Sequence, residues 1–75
     1  MADFHIRGRV EAKACGSYAA IVVAIPLLDT EPFRKMQEIC PSRGAAVQRL
    51  RELAVMMGAK IRQEGGTILE VRIDE

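Results

Sequence analysis

The chain has 75 residues, of which 49% are hydrophobic, and its eleven Lys and Arg against ten Asp and Glu leave a net charge of +1. This length predicts one small domain, residues 1–75, with a modest core. The near-neutral charge does not favour a polyanion-binding protein, and high apolar content with low net charge excludes a disordered chain. The chain has two Phe, one Tyr and no Trp, so the core is expected to be aliphatic.

The N-terminal third predicts a β-hairpin. Residues 4–14 alternate between apolar and polar side chains, the pattern of a strand with one solvated face. Gly8 falls on the apolar side of this alternation, which predicts a bulge or the close approach of a helix. A Cys-Gly-Ser turn follows, and a second strand rich in β-branched residues runs from Tyr18 to about Ile25.

The middle of the chain predicts two helices. Residues 29–40 read as a short helix that ends before Pro41. The next segment predicts a long helix that Ser42 caps and Gly65-Gly66 terminates. Gly58 lies inside this helix, where it is expected to allow close packing on the sheet. The predicted core-facing residues are Ala46, Val47, Leu50, Leu53, Ala54, Met57 and Ile61.

The C-terminal residues 67–75 alternate again and predict a third strand. The expected fold class is α+β: a ββ-α-β chain, with a short extra helix before the long one, forms a three-stranded sheet packed on one face by one long amphipathic helix. A right-handed crossover makes strands two and three parallel. The crossover leaves two strand orders open. In the order 2-1-3 the sheet would be wholly antiparallel, and the other possible order is 1-2-3.

The apolar segment of residues 18–28 carries no charge, and either face of a strand made from it is apolar. One helix can cover only one face of a sheet, so an aliphatic strip in a charged surround is expected on the other face. The alternative is that the short helix and the Pro-Leu-Leu segment, residues 26–28, fold back over this strip. The segment is about half the ~20 residues that a membrane helix needs, so it is not expected to span a membrane. The predicted interface residues are Tyr18, Ile21, Val23 and Ile25, with Val55 and Met56 as a second contact surface on the helix.

These patterns predict a non-enzymatic protein-binding or oligomerising module, with a homodimer favoured over larger assemblies. Small chains that lack a catalytic signature and carry much contact surface are typical of phage or mobile-element inhibitors. No cofactor, metal or small-molecule substrate is expected. Two cysteines do not make a disulfide framework, and reduced thiols indicate a cytoplasmic protein.

Two other functions stay open. The long helix has basic flanks, which would suit a phosphate backbone and make a small nucleic-acid-binding protein the first alternative. Its candidate residues are Arg43, Arg49, Arg51, Lys60 and Arg62. The second alternative is a reactive-thiol carrier at Cys40, since a thiol near a helix N-terminus can have a lowered pKa. The Cys40-Pro41 step resembles the one that opens a helix in sulfur-carrier proteins of the TusA type, and the resemblance ends at these two residues.

Overall fold

The computed structural model describes residues 2–28 and 32–74. Four strands and one helix follow one another as β1 (Asp3–Ala12), β2 (Tyr18–Pro26), β3 (Arg34–Cys40), α1 (Arg43–Gln63) and β4 (Thr67–Asp74). The strands form one mixed sheet in the order β3-β2-β1-β4, and α1 packs on one of its faces. The predicted α+β class with one long helix on a sheet is confirmed, although the number of strands differs. In the described part of the chain, no helix is both long and apolar enough to cross a membrane.

The predicted short helix is wrong where the structure describes it. Residues 29–31 lie outside the described residues, and Arg34–Cys40 form the edge strand β3, antiparallel to β2. Its ladder runs from Tyr18 opposite Cys40 to Ala24 opposite Arg34. On the side of β2 that faces away from β1, the backbone N–H and C=O groups need hydrogen-bond partners. A neighbouring strand supplies these partners, whereas a helix packed nearby would not. Tertiary pairing has therefore overridden a weak local helix pattern.

The additional strand also changes the direction of the last one. β4 lies beside β1, as in one of the two predicted orders, but it is parallel to β1. The expectation of a wholly antiparallel sheet is therefore wrong. β3 reverses the chain once more before the helical crossover, so β4 returns in the direction of β3, which is also the direction of β1.

A register shift interrupts the pairing of β1 with β4. Phe4 lies opposite Ile68 and the next residue, His5, lies opposite Glu70, so Leu69 is an extra residue in β4. Such a bulge changes which side chains share a face. Ile68 and Ile73 pack against the core, whereas Leu69 is 52% exposed. The predicted uninterrupted alternation of residues 67–75 is corrected at this point.

Both ends of α1 have the caps that the sequence predicts. The Ser42 hydroxyl accepts a hydrogen bond from the Ala45 N–H at 3.2 Å. At the other end Gly65, with φ 87°, donates its N–H to the carbonyl of Arg62, and Gly66 donates to the carbonyl of Ile61 at 2.9 Å. These two bonds form a Schellman motif, which requires the left-handed conformation that glycine adopts without strain.

The core lies between α1 and the sheet. Its buried residues are Phe4, Ile6, Ala20, Val22, Ala24, Leu50, Leu53, Ala54, Met57 and Ile61. The helix approaches the sheet closely at Gly8, where a Cβ atom would lie 2.9 Å from Leu50 Cδ1. The predicted close helix approach at Gly8 is thereby confirmed. Of the helix residues that the sequence predicts to face the core, all are buried except Val47, which is partly buried.

Candidate functional site

The sheet face opposite α1 does not carry the exposed aliphatic strip that the sequence predicts. Ile21 is only 4% exposed, because β3 makes β2 an inner strand. In the sheet register Ile21 lies between Arg9 and Gln37, and long side chains on flanking strands cover an apolar neighbour with their aliphatic stems. The expectation of exposure is therefore wrong for Ile21.

The other three predicted residues of β2 have different surroundings. Val23 is partly buried on the same face as Ile21. Tyr18, also partly buried, alternates with the core residues Ala20 and Val22 and so lies on the helix side of the sheet. Ile25 is 44% exposed. The outer face of β2 thus presents one exposed apolar residue rather than a continuous strip.

Ion pairs surround the outer face of β1 and β4. Glu70 lies 3.8 Å from the guanidinium of Arg7 on β1 and 3.3 Å from that of Arg72 on its own strand. Glu11 lies between Lys13 and Arg9, and these two cations lower the pKa of its carboxyl group. Exposed pairs of this kind contribute little stability, but they determine which charges an approaching chain would meet.

An apolar groove opens on the helix side of the sheet, between α1 and β4. This β4 groove has a volume of about 290 Å³ and is lined by Ile6, Arg51, Ala54, Val55, Gly58, Arg62, Ile68, Val71 and Ile73. Two of its valines are solvent-accessible, Val55 at 72% and Val71 at 52%. Val55 belongs to the predicted helix surface, whereas Met56, although 46% exposed, does not line the groove.

Gly58 does not have the packing role expected from the sequence. A Cβ atom there would lie 3.6 Å from Arg62 Nη1 and 3.8 Å from Ile6 Cδ1, which is ordinary van der Waals contact. The helix therefore does not need glycine at this position to approach the sheet. Its effect is to remove a side chain from the wall of the β4 groove.

The outer edge of β4 adjoins this groove. β4 is the last strand in the sheet order, so one row of its backbone N–H and C=O groups has no strand partner in residues 2–28 and 32–74. Such an edge is a template for pairing with another chain. Val71 combines both properties, since it lies on the open strand and lines the groove. The sequence could not indicate its exposure, because its place in the alternation is that of a core residue.

The five candidate nucleic-acid residues do not form one stripe. Arg51 and Arg62 line the β4 groove, about 16 Å apart along the helix at 1.5 Å per residue. Arg49 contacts Glu38 at 2.9 Å and Glu52 at 3.3 Å, and the bonds to Glu52 and then Glu38 raise its pKa. These contacts place a carboxylate on each side of Arg49.

The remaining two candidates lie apart from the groove. Lys60 lines a depression of about 420 Å³ on the β3 side of the helix, together with Glu64. Glu64 pairs with Arg34, and that hydrogen bond lowers the pKa of the Glu64 carboxyl group. Arg43 is exposed at the start of α1. The basic residues are thus distributed over three places on the helix.

Cys40 lies on the core side of the sheet, at the end of β3. It is 6% exposed and opposite Tyr18, so a reagent cannot reach its thiol without movement of the chain. Cys15 is the exposed cysteine, in the β1–β2 turn. Its sulfur lies 2.9 Å from the Ser17 hydroxyl, and this hydrogen bond lowers the pKa of the Cys15 thiol.

These surroundings predict the order in which the two thiols react. Since the thiolate is the nucleophile, Cys15 is expected to be alkylated by iodoacetamide about tenfold faster than Cys40 or more at neutral pH. Peptide mass spectrometry after timed quenching measures both rates in one sample. Denaturant should remove most of the difference. Faster alkylation of Cys40 in the native protein would contradict its burial and revive the thiol-carrier alternative.

The residues that the structure describes contain no group of three or more His, Cys, Asp or Glu side chains placed to hold a metal ion. The fold and its groove define a small α+β protein with an open parallel edge strand. Comparison with protein-family models, with curated proteins and with solved structures finds no match. A functional assignment therefore depends on the geometry of the β4 groove and its edge.

Proposed function

We propose that the protein is a non-enzymatic protein-binding module that self-associates through the β4 groove, with a homodimer as the favoured assembly. The observation that carries the proposal is the exposure of Val55 and Val71 beside an open strand edge. Full burial of one valine stabilises by about 1.5–3 kcal/mol. A domain of this size has a total stability of about 5 kcal/mol, so covering both residues would be a substantial gain.

A finer hypothesis concerns the biological role. A small, cytoplasmic phage-type or mobile-element inhibitor would act by covering a surface of another protein, and the same groove would be its contact surface. Its support is the combination of small size and an apolar groove bordered by the charged residues Arg51 and Arg62. Charges around an apolar centre are typical of interfaces that select their partner.

The proposal is tested by the mass of the protein in solution. We expect sedimentation equilibrium to show a concentration-dependent rise from the monomer mass of 8.3 kDa to twice that value. Val55→Asp should weaken the association about a hundredfold, because a carboxylate would lose its hydration in the contact. Gln48→Asp, at an exposed position of the same helix outside the groove, is the matched control and should leave it unchanged.

A strict monomer at the highest attainable concentration would overturn self-association. The nucleic-acid alternative makes a different prediction, that binding to DNA or RNA falls steeply with added salt. Replacing Arg51 and Arg62 together by alanine would then weaken binding. If a monomeric protein showed both this salt dependence and this loss of binding, nucleic-acid binding would replace self-association as the proposed function.

A further inference from the structure

We infer that the second copy pairs with the first through β4 against β4, antiparallel, with Val71 of each copy at the two-fold axis. This inference rests on the proposed function and specifies the surface and the register. The candidate segment is Leu69–Ile73, because the bulge at Leu69 interrupts the strand on one side. Antiparallel pairing of identical strands is self-complementary about a two-fold axis.

The charges of β4 favour this register. With Val71 opposite Val71, Glu70 of each copy lies opposite Arg72 of the other, and two cross-strand ion pairs form. Both side chains lie on the outer face of the sheet, where they already contact each other within one chain. Opposite charges at directly facing positions stabilise a pair of strands, and like charges destabilise it.

The neighbouring registers place like charges opposite one another. Centring the pair on Glu70 brings the two Glu70 side chains together, and centring it on Arg72 brings the two Arg72 side chains together. Centring on Ile73 would move the contact to the end of β4, which ends at Asp74. The register with Val71 at the axis therefore combines the longest paired segment with matched charges.

The other edge strand, β3, is less suited to the same contact. The helix covers its inward side, where Met36 is partly buried and Cys40 is buried. Val71 is by contrast 52% exposed on the helix side of β4. Pairing at β4 thus covers apolar surface in addition to satisfying backbone groups.

This pairing has a consequence for the shape of the assembly. Two four-stranded sheets would join into one sheet of eight strands, with both helices on the same face. The two β4 grooves would then meet over the paired strands, where the apolar walls of the two copies contact each other and cover Val55 and Val71. Arg51 and Arg62 of each copy would border this contact, since both residues line the groove on the helix side.

Cross-linking tests the register directly. In a chain with Cys15→Ser and Cys40→Ala, Val71→Cys should form an intermolecular disulfide under mild oxidation. Directly opposed residues have Cα atoms about 4.5–5.5 Å apart, within the range of about 4.4–6.8 Å that a disulfide spans. Met36→Cys, on the helix side of the other edge strand β3, is the matched control and should give little cross-linked dimer. Circular dichroism verifies that both variants fold.

A charge-swap experiment tests the same contact without new cysteines. Glu70→Arg alone and Arg72→Glu alone each place like charges opposite one another, and each should weaken self-association about tenfold or more. Mixed together, the two variants should form a heterodimer in preference to either homodimer, because both facing pairs are then complementary. Native mass spectrometry distinguishes the three dimers by mass.

The outcomes separate this inference from the proposed function. If the wild-type protein dimerises but Val71→Cys does not cross-link and the mixed variants show no preference, the β4 pairing is overturned and self-association stands. Efficient cross-linking through Met36→Cys would also overturn it, in favour of β3. A wild-type protein that stays monomeric would overturn both.

Discussion

Leu50→Ala is expected to remove about 3–5 kcal/mol of unfolding free energy, which is close to the whole stability of a domain of this size. Leu50 has no exposed surface, and its terminal methyl group would lie 2.9 Å from a Cβ atom added at Gly8. Truncation leaves a cavity that rigid neighbours cannot fill. Urea unfolding followed by far-ultraviolet circular dichroism should show a variant that retains only about 0–2 kcal/mol, so that its unfolding transition begins at or near zero urea.

Met56→Ala is the control for Leu50→Ala on the same helix. Met56 is 46% exposed and outside the core cluster, so its truncation should change the unfolding free energy by less than about 0.5 kcal/mol. Equal losses in the two variants would mean that the helix does not pack on the sheet through the side that contains Leu50.

Gly66→Ala is expected to cost about 2–3 kcal/mol, the second large effect. A Cβ atom at this position would lie 2.6 Å from Ile61 Cγ2, 3.1 Å from the Ile61 carbonyl oxygen and 3.2 Å from that of Ala2. The side chain of Ile61 is 1% exposed and cannot move outward. Relief requires movement of the backbone, which would disturb the hydrogen bond from the Gly66 N–H to Ile61. The same urea titration measures the loss.

Gly44→Ala provides the matched control for a methyl group added to glycine. Gly44 lies in the first turn of α1, and no atom stands within 4 Å of a Cβ built there. Alanine should be neutral or stabilise by up to about 1 kcal/mol through helix propensity. A loss at Gly44 similar to that at Gly66 would show that steric contact is not the cause.

The elements with strong local patterns were predictable. The hairpin follows from the alternation of residues 4–14 and the β-branched run after Tyr18. In the turn between them Gly16 has φ 84° and donates its N–H to the Lys13 carbonyl. The helix follows from its apolar periodicity, Ser42 at one end and Gly65 at the other. Caps and turns are interactions between residues a few positions apart, so sequence alone can indicate them.

The segment Arg34–Cys40 shows why β3 was not predictable. Its apolar residues, Met36, Ile39 and Cys40, have spacings that suit a helix as well as a strand. The strand forms because of the ladder with β2, whose residues lie ten to twenty-two positions earlier in the chain. The charges support the strand as well, because Glu38 then faces Arg49 on α1.

The candidate site depends on the same long-range pairing. β3 shields Ile21, which the sequence indicates as exposed, while the place of β4 at the sheet edge leaves Val71 accessible. Three residues of the β4 groove, Arg51, Val55 and Arg62, could be identified from sequence as exposed residues of the long helix, since residues off its core arc are visible in the periodicity. Val71 could not be identified as exposed, because it lies on the apolar side of the alternation in residues 67–75, where buried residues are expected.

The amino-acid sequence by itself determined the hairpin, the long helix with its two caps, and the apolar stripe that packs the helix on the sheet, since these depend on neighbours along the chain. Only the tertiary structure decided that Arg34–Cys40 becomes a strand and that β4 runs parallel to β1 at an open edge. The physical reason is that backbone hydrogen bonds join strands that are distant in the chain. The pattern of apolar residues in one strand does not show which other strand it pairs with. Those bonds determine which apolar side chains are covered and which stay exposed.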